Sequence, residues 1–162
     1  TACLGGVPSY SAWYEFFPKG AMTIHSMTVN PGDTMFGEVS ASSSGQFNLT
    51  LVDLTTSHSF TKLGKVKGAQ LSSAEWIAEA PSSSTGILPL ANFGRVYFGQ
   101  DLTGVAGTCE TRVNGVTGTI GAFRSHAVQI TMLSRNLTVK AGTSPLSPDT
   151  SSFIVQWFYS GP

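Results

Sequence analysis

The sequence predicts an all-β fold, a sandwich of antiparallel sheets, on three observations. Across the 162 residues the i, i+3, i+4, i+7 apolar spacing of a helix face is hard to find. Short segments rich in Val, Ile, Thr, Phe and Tyr instead alternate apolar with polar, the period of a half-buried strand. Turn residues punctuate these segments at the regular intervals of a sandwich.

Taken in order, the strands are expected at 10–17, 22–29, 34–40, 46–53, 58–62, 73–79, 95–99, 127–132 and 152–159. The first, "YSAWYEFF", sorts Tyr10, Ala12, Tyr14 and Phe16 to one face and Ser11, Trp13, Glu15 and Phe17 to the other. Between the second and third lies "NPGD", Asn30 to Asp33, with Pro and Gly where a type II turn needs them, so a hairpin is expected there. The sixth, within "SSAEWIAEAP", places Ser73, Glu75, Ile77 and Glu79 together, opposite Ala74, Trp76 and Ala78. "PSSSTG" from Pro81 and "GTSPLSPDTSS" from Gly142 are small, polar loops. No internal repeat or linker divides the chain, which fits a single domain spanning 1–162.

The composition removes several classes of function. Lys plus Arg and Asp plus Glu number nine each, so no basic field exists to hold nucleic acid or an anionic membrane. The apolar runs fall far short of the ~20 residues that cross a bilayer. Cys3 and Cys109 can form one disulfide in an oxidising compartment or remain thiols, and both readings stay open. His25, His58 and His126 are scattered and no zinc spacing occurs, so neither a metal nor a cofactor is expected. Low charge with abundant Ser, Thr and Gly suggests a secreted, extracellular protein. The sequence begins with Thr1 and not with a methionine, and shows no charged-then-apolar leader, which suggests a start made by processing or by the choice of segment, with sequence missing upstream.

Two strands thus present a carboxylate beside large apolar groups, Glu15 near Trp13 and Glu75 near Ile77. Desolvation on such a face would favour the protonated form, so Glu75 is a candidate general acid or base, with Glu15 as a second carboxylate. Hydrogen bonds to neighbouring Ser, Thr or Tyr hydroxyls, or exposure of one end of each strand, would account for both without catalysis. No GxSxG elbow or histidine triad context is present, which removes serine hydrolysis. "FGRVYFG" precedes no helical pattern and reads as a turn into a strand, not as a phosphate loop. "NLT" at Asn48 and at Asn136 is formally an N-glycosylation triplet.

Four stretches, "SYSAWYEFFP", "VNPGD", "SSAEWIAEAP" and "LANFGRVYF", stand in the order and at about the spacing found in the glutamic peptidases, also called eqolisins or peptidase family G1, which the chain resembles from Ser9 to Phe98. The resemblance implies two packed antiparallel sheets with a lectin-like curl, and an acid endopeptidase whose glutamate and glutamine activate water. The glutamate of that pair carries over to Glu75, and Ser11, Trp13, Glu15 and Phe17 carry over to the substrate cleft. Relatives often hold an acidic residue where this chain has Ser11.

The family's glutamine lies in an "LQTG"-like strand that would fall upstream of Thr1. Gln46, Gln70, Gln100, Gln129 and Gln156 do not stand in that context. The resemblance therefore implies that the glutamine and the remaining strands come from a noncovalent N-terminal light chain, as a partner beside the peptide substrate, or from an upstream part of the same polypeptide that lies outside these 162 residues. The competing readings are a lectin-like, carbohydrate-binding sandwich that stacks sugars on its aromatic face, and a peptidase homologue without activity.

Overall fold

The computed structural model describes the chain except Thr1, Gly5, Ser43, Thr85 and Pro162, and leaves the side chains of Ala2, Cys3, Leu4 and Ser83 undescribed. The backbone forms two compact units, Thr1–Ser72 and Ser73–Pro162.

Among the described residues the first unit holds seven strands: β1 (Ala2–Leu4), β2 (Val7–Ser9), β3 (Trp13–Tyr14), β4 (Met22–Thr23), β5 (Met35–Ala41), β6 (Gln46–Asp53) and β7 (His58–Lys65). All pairs are antiparallel: β1 with β2, β3 with β4, and β5, β6 and β7 in sequence as one three-stranded sheet. In that sheet Leu51 lies opposite Gly37 on one side and Phe60 on the other, and Leu51 and Phe60 pack with Met35, Tyr14 and Val29 against the buried Ala12, Ile24 and Met27. Tyr14 stacks on Phe60 at 5.4 Å and meets Phe16 edge-on at 5.9 Å, aromatic geometries that add specific attraction to area burial.

The "NPGD" turn forms as its residues require, with Gly32 at φ 93° and the Asp33 amide donating to the Asn30 carbonyl at 3.2 Å. It does not make the expected hairpin. The segment 22–29 contributes only Met22–Thr23, which pairs back to β3, whereas β5 takes β6 as its partner. Ile24 and Met27 explain the difference: both turn into the core, on the i, i+3 step of a bend where a strand would alternate.

The second unit adds β8 (Ser82–Ser83), β9 (Gly86–Ile87), β10 (Arg95–Phe98), a one-turn helix α1 (Gln100–Thr103), β11 (Glu110–Val113), β12 (Val116–Thr119), β13 (Met132–Leu133), β14 (Val139–Thr143) and β15 (Phe153–Trp157). Its main sheet runs β10-β15-β14-β13, antiparallel throughout. The register sets Phe98 opposite Phe153, and their rings stack at 4.8 Å. The core comprises Leu90, Cys109, Ala141, Phe153 and Val155, flanked by the partly buried Trp76, Phe98, Met132 and Trp157 among others.

Several elements differ from expectation. The segment 73–79 forms no strand, and of 127–132 only Met132 joins a sheet. The small polar loop at Ser82 closes into the two-residue ladder β8–β9. The hairpin β11–β12 was not expected, although its Asn114-Gly115 turn, with φ of 50° and 85°, is the left-handed pair that such a hairpin demands. Strand β14 also escapes alternation, because buried Lys140 and Gly142 interrupt its apolar pattern.

Candidate active site

Glu75 lies in the second unit, on an extended stretch held by side chains and not by a ladder. Trp76, Ala78 and Ala80 turn inward and pack against the core around Leu90 and Phe153. The intervening Ser73, Glu75, Ile77 and Glu79 are exposed. From Trp76 onward the period-2 sorting of faces therefore holds without strand pairing, since burial of every second residue is enough to impose it, whereas Ala74, sorted inward with them, is exposed. The Ser73 hydroxyl donates to Glu75 Oε1 at 3.1 Å, which steadies the carboxylate. Within this chain Glu75 faces solvent, so the desolvated environment expected for it is not met.

The residues read as cleft-lining lie in the first unit. Ala12 is buried and Tyr14 and Phe16 are half-buried, while Ser11, Trp13, Glu15 and Phe17 are all exposed on the opposite side. Trp13 is 55% exposed and Phe17 77%, a large aromatic area left in water on the side that also carries Glu15. That side is held in place by its opposite: the Phe16 ring rests directly on Gly64 of β7, where a side chain would collide with it, and Tyr14 stacks on Phe60. The structure thus brings Ser11, Trp13, Glu15 and Phe17 together on one side of one stretch, and places Glu75 on a different unit.

Two carboxylates that the sequence reading passed over are the most heavily bonded among the described residues. Asp53 closes the β6–β7 turn by accepting the amides of Thr55 and Thr56 on Oδ1 and the Thr56 hydroxyl on Oδ2 at 2.6 Å. The Thr56 hydroxyl bond, with the two amides and nearby His58, prevails over burial and holds its carboxyl below the usual range. Asp149 accepts the Ser151 and Ser152 amides on Oδ1, each at 2.8 Å, and both serine hydroxyls on Oδ2. Burial works against ionisation there, but these bonds outweigh it and hold the carboxyl well below the ordinary range. The Asp101 amide also donates to Asp149, tying α1 to the loop before β15.

Cys109 is a free thiol in the core of the second unit, and burial, aided by the Asp149 charge, pushes it up to about 11. The Cys3 side chain lies outside the described residues. Among the described residues no group of three His, Cys, Asp or Glu side chains could hold a metal ion, and no helix is long and apolar enough to cross a membrane.

Comparison with known proteins places these features in one group. Aspergillopepsin-2 of Aspergillus niger is 36% identical over 96 residues, a match covering 57% of this chain and 34% of that protein. The aligned part thus spans about a third of that relative's length. The crystal structure of aspergilloglutamic peptidase from Aspergillus niger superposes with a TM-score of 0.78 at 29% identity, covering 97% of this chain and 85% of the other, so the fold is the all-β sandwich of antiparallel sheets that the sequence predicts. The model of the peptidase A4 family matches residues 1–141, a stretch that contains all four of the diagnostic motifs. The chain belongs to the peptidase A4 family, the glutamic peptidases or eqolisins.

Proposed function

We propose that this protein is a secreted acid endopeptidase in which Glu75 moves the proton that peptide hydrolysis requires. The observation that carries the reading is the mounting of Glu75: an exposed carboxylate steadied by Ser73, on a stretch whose alternate side chains are anchored in the core. Such a group reaches a substrate without surrendering its position, which is what proton transfer in a transition state needs.

In the proposed reaction Glu75 takes a proton from water as the water oxygen attacks the scissile carbonyl carbon. The carbonyl π pair moves to oxygen and forms the tetrahedral oxyanion. Glu75 then delivers the proton to the amide nitrogen, the C–N bond breaks, and the amine leaves. A glutamine amide donating to the oxyanion would complete the pair, a kind of contribution worth ~3 kcal/mol. We assign that glutamine to a noncovalently held N-terminal light chain, because no glutamine of these 162 residues stands in the family's context. Ser11, Trp13, Glu15 and Phe17 are assigned to the substrate cleft, where the exposed rings would receive apolar side chains of an extended peptide.

Cleavage of casein or haemoglobin at acid pH, by the wild type and by Glu75→Gln, tests the assignment. The substitution keeps size and hydrogen-bonding capacity while removing the base, so the rate should fall by ~10²-fold or more with the circular dichroism spectrum unchanged. Undiminished proteolysis by the variant would remove Glu75 from the role. Intact mass spectrometry of the active protein addresses the second chain, since activity from the 162-residue polypeptide alone would require another oxyanion donor.

A further inference from the structure

Asn48 and Asn136 each begin an Asn-Leu-Thr triplet, and the fold gives them opposite surroundings. Asn48 sits in β6, the middle strand of its sheet, between Ser40 and Leu63. It is half-buried, and its Oδ1 is shielded from solvent without a hydrogen-bond partner. A group joined to its Nδ2 would start from the middle of the sheet, with Ser40 and Leu63 on the strands either side.

Asn136 occupies the tip of the turn between β13 and β14. The turn is closed below it by the Ser134 amide donating to the Thr138 carbonyl at 2.8 Å, the Leu137 amide to the Ser134 carbonyl at 3.0 Å, and the Thr138 amide to the buried Ser134 hydroxyl at 3.1 Å. None of these bonds uses the Asn136 side chain. Asn136, Leu137 and Thr138 are all exposed, Leu137 at 76% and in a left-handed conformation with φ 62°. A triplet at such a tip offers both its amide and its third-position hydroxyl to solvent.

We infer that Asn136, and not Asn48, is the attachment site for an N-linked oligosaccharide when the chain enters a eukaryotic secretory lumen. In the transfer, Asn136 Nδ2 attacks the anomeric carbon of a lipid-linked oligosaccharyl pyrophosphate. The new C–N bond forms as the anomeric C–O bond breaks, the lipid pyrophosphate leaves with the electron pair, and Nδ2 gives up one proton. The attached sugars would project from the turn and cover Leu137, an apolar side chain with little protein against it.

The inference rests on the proposal that the chain is exported, so its test separates the two. The full chain is expressed in yeast behind a grafted secretory leader as wild type, Asn48→Gln, Asn136→Gln and Thr138→Ala. Cell-retained and secreted fractions are treated with an endoglycosidase specific for N-linked glycans and read by mobility and intact mass. One glycan is expected on the wild type and on Asn48→Gln, and none on Asn136→Gln or Thr138→Ala. Leader-cleaved wild type without a glycan, or a glycan that disappears with Asn48→Gln and persists with Asn136→Gln, overturns the assignment. Export of the natural protein is read independently from the culture medium of its own source cells, and its failure there counts against secretion alone.

Discussion

Asp53 and Asp149 hold the same pattern of bonds, one in each unit: each accepts the backbone amides two and three residues ahead on Oδ1, and the hydroxyl three residues ahead on Oδ2. The sequences that make the pattern are "DLTT" and "DTSS", an aspartate followed at the second and third positions by Thr or Ser. A side chain of this length reaches back over its own turn and satisfies donors that no strand can take.

The pair bears directly on stability in acid. Both carboxyls sit below their ordinary range in the folded chain, whereas in the unfolded chain they would titrate near ~3.9. Their contribution is therefore complete above that unfolded value and is lost as pH falls from there through the folded values. Asp149→Asn should lower the urea midpoint clearly at pH 6 and less at pH 2.5, where the carboxyl of the unfolded chain already takes up a proton and part of the clamp's contribution is lost. A gap between variant and wild type that stays constant from pH 6 to pH 2.5 would show that the charge of Asp149 is not what the clamp uses.

Gly64 provides a second test, in the first unit. The Phe16 ring occupies the space a side chain would need, so Gly64→Ala must displace the ring that braces the Trp13 and Glu15 side of the stretch. A loss of about 1–3 kcal/mol is expected from such overpacking. Pairing it with Phe16→Leu, which opens the space, should recover part of the loss. Equal, additive losses in the double variant would argue that the two residues do not meet.

Gly99 is constrained more severely. It combines φ 88° with ψ 168°, a region essentially reserved for glycine, and a side chain there would strike the backbone of Ser152. Gly99→Ala should cost about 3 kcal/mol or more, the sum of dihedral strain and overpacking, and should separate α1 from the Asp149 loop. Thermal unfolding at neutral pH reads the difference, and a variant as stable as wild type would contradict the close approach.

The residues that were legible from the sequence were those whose side chains obey a local period. Alternation sorted Ser11, Trp13, Glu15 and Phe17 from Ala12, Tyr14 and Phe16, and Glu75 from Trp76, with the outward residues exposed in the fold, but Tyr10 and Ala74, sorted inward at the start of each stretch, are exposed as well. Strand pairing was less legible, because it depends on partners far along the chain: 73–79 alternates like a strand yet pairs with nothing in the second unit. The β11–β12 hairpin carried a readable signal in Asn114-Gly115. Strand β14 did not, since Lys140 and Gly142 mask a segment that the sheet buries. The site itself was legible mainly through its motifs, and the clamps at Asp53 and Asp149 only through the spacing of their hydroxyl neighbours.

The stretch bearing Glu75 separates two kinds of order that usually coincide. Trp76, Ala78 and Ala80 fix it by burial, but no backbone amide from 73 to 80 donates to another backbone group among the described residues. Its alternate side chains are held as in a folded core, while its amides take no part in a backbone ladder among the described residues. In hydrogen exchange this segment would belong to the fastest amides of the second unit, although the indole beside Glu75 is one of its anchored rings.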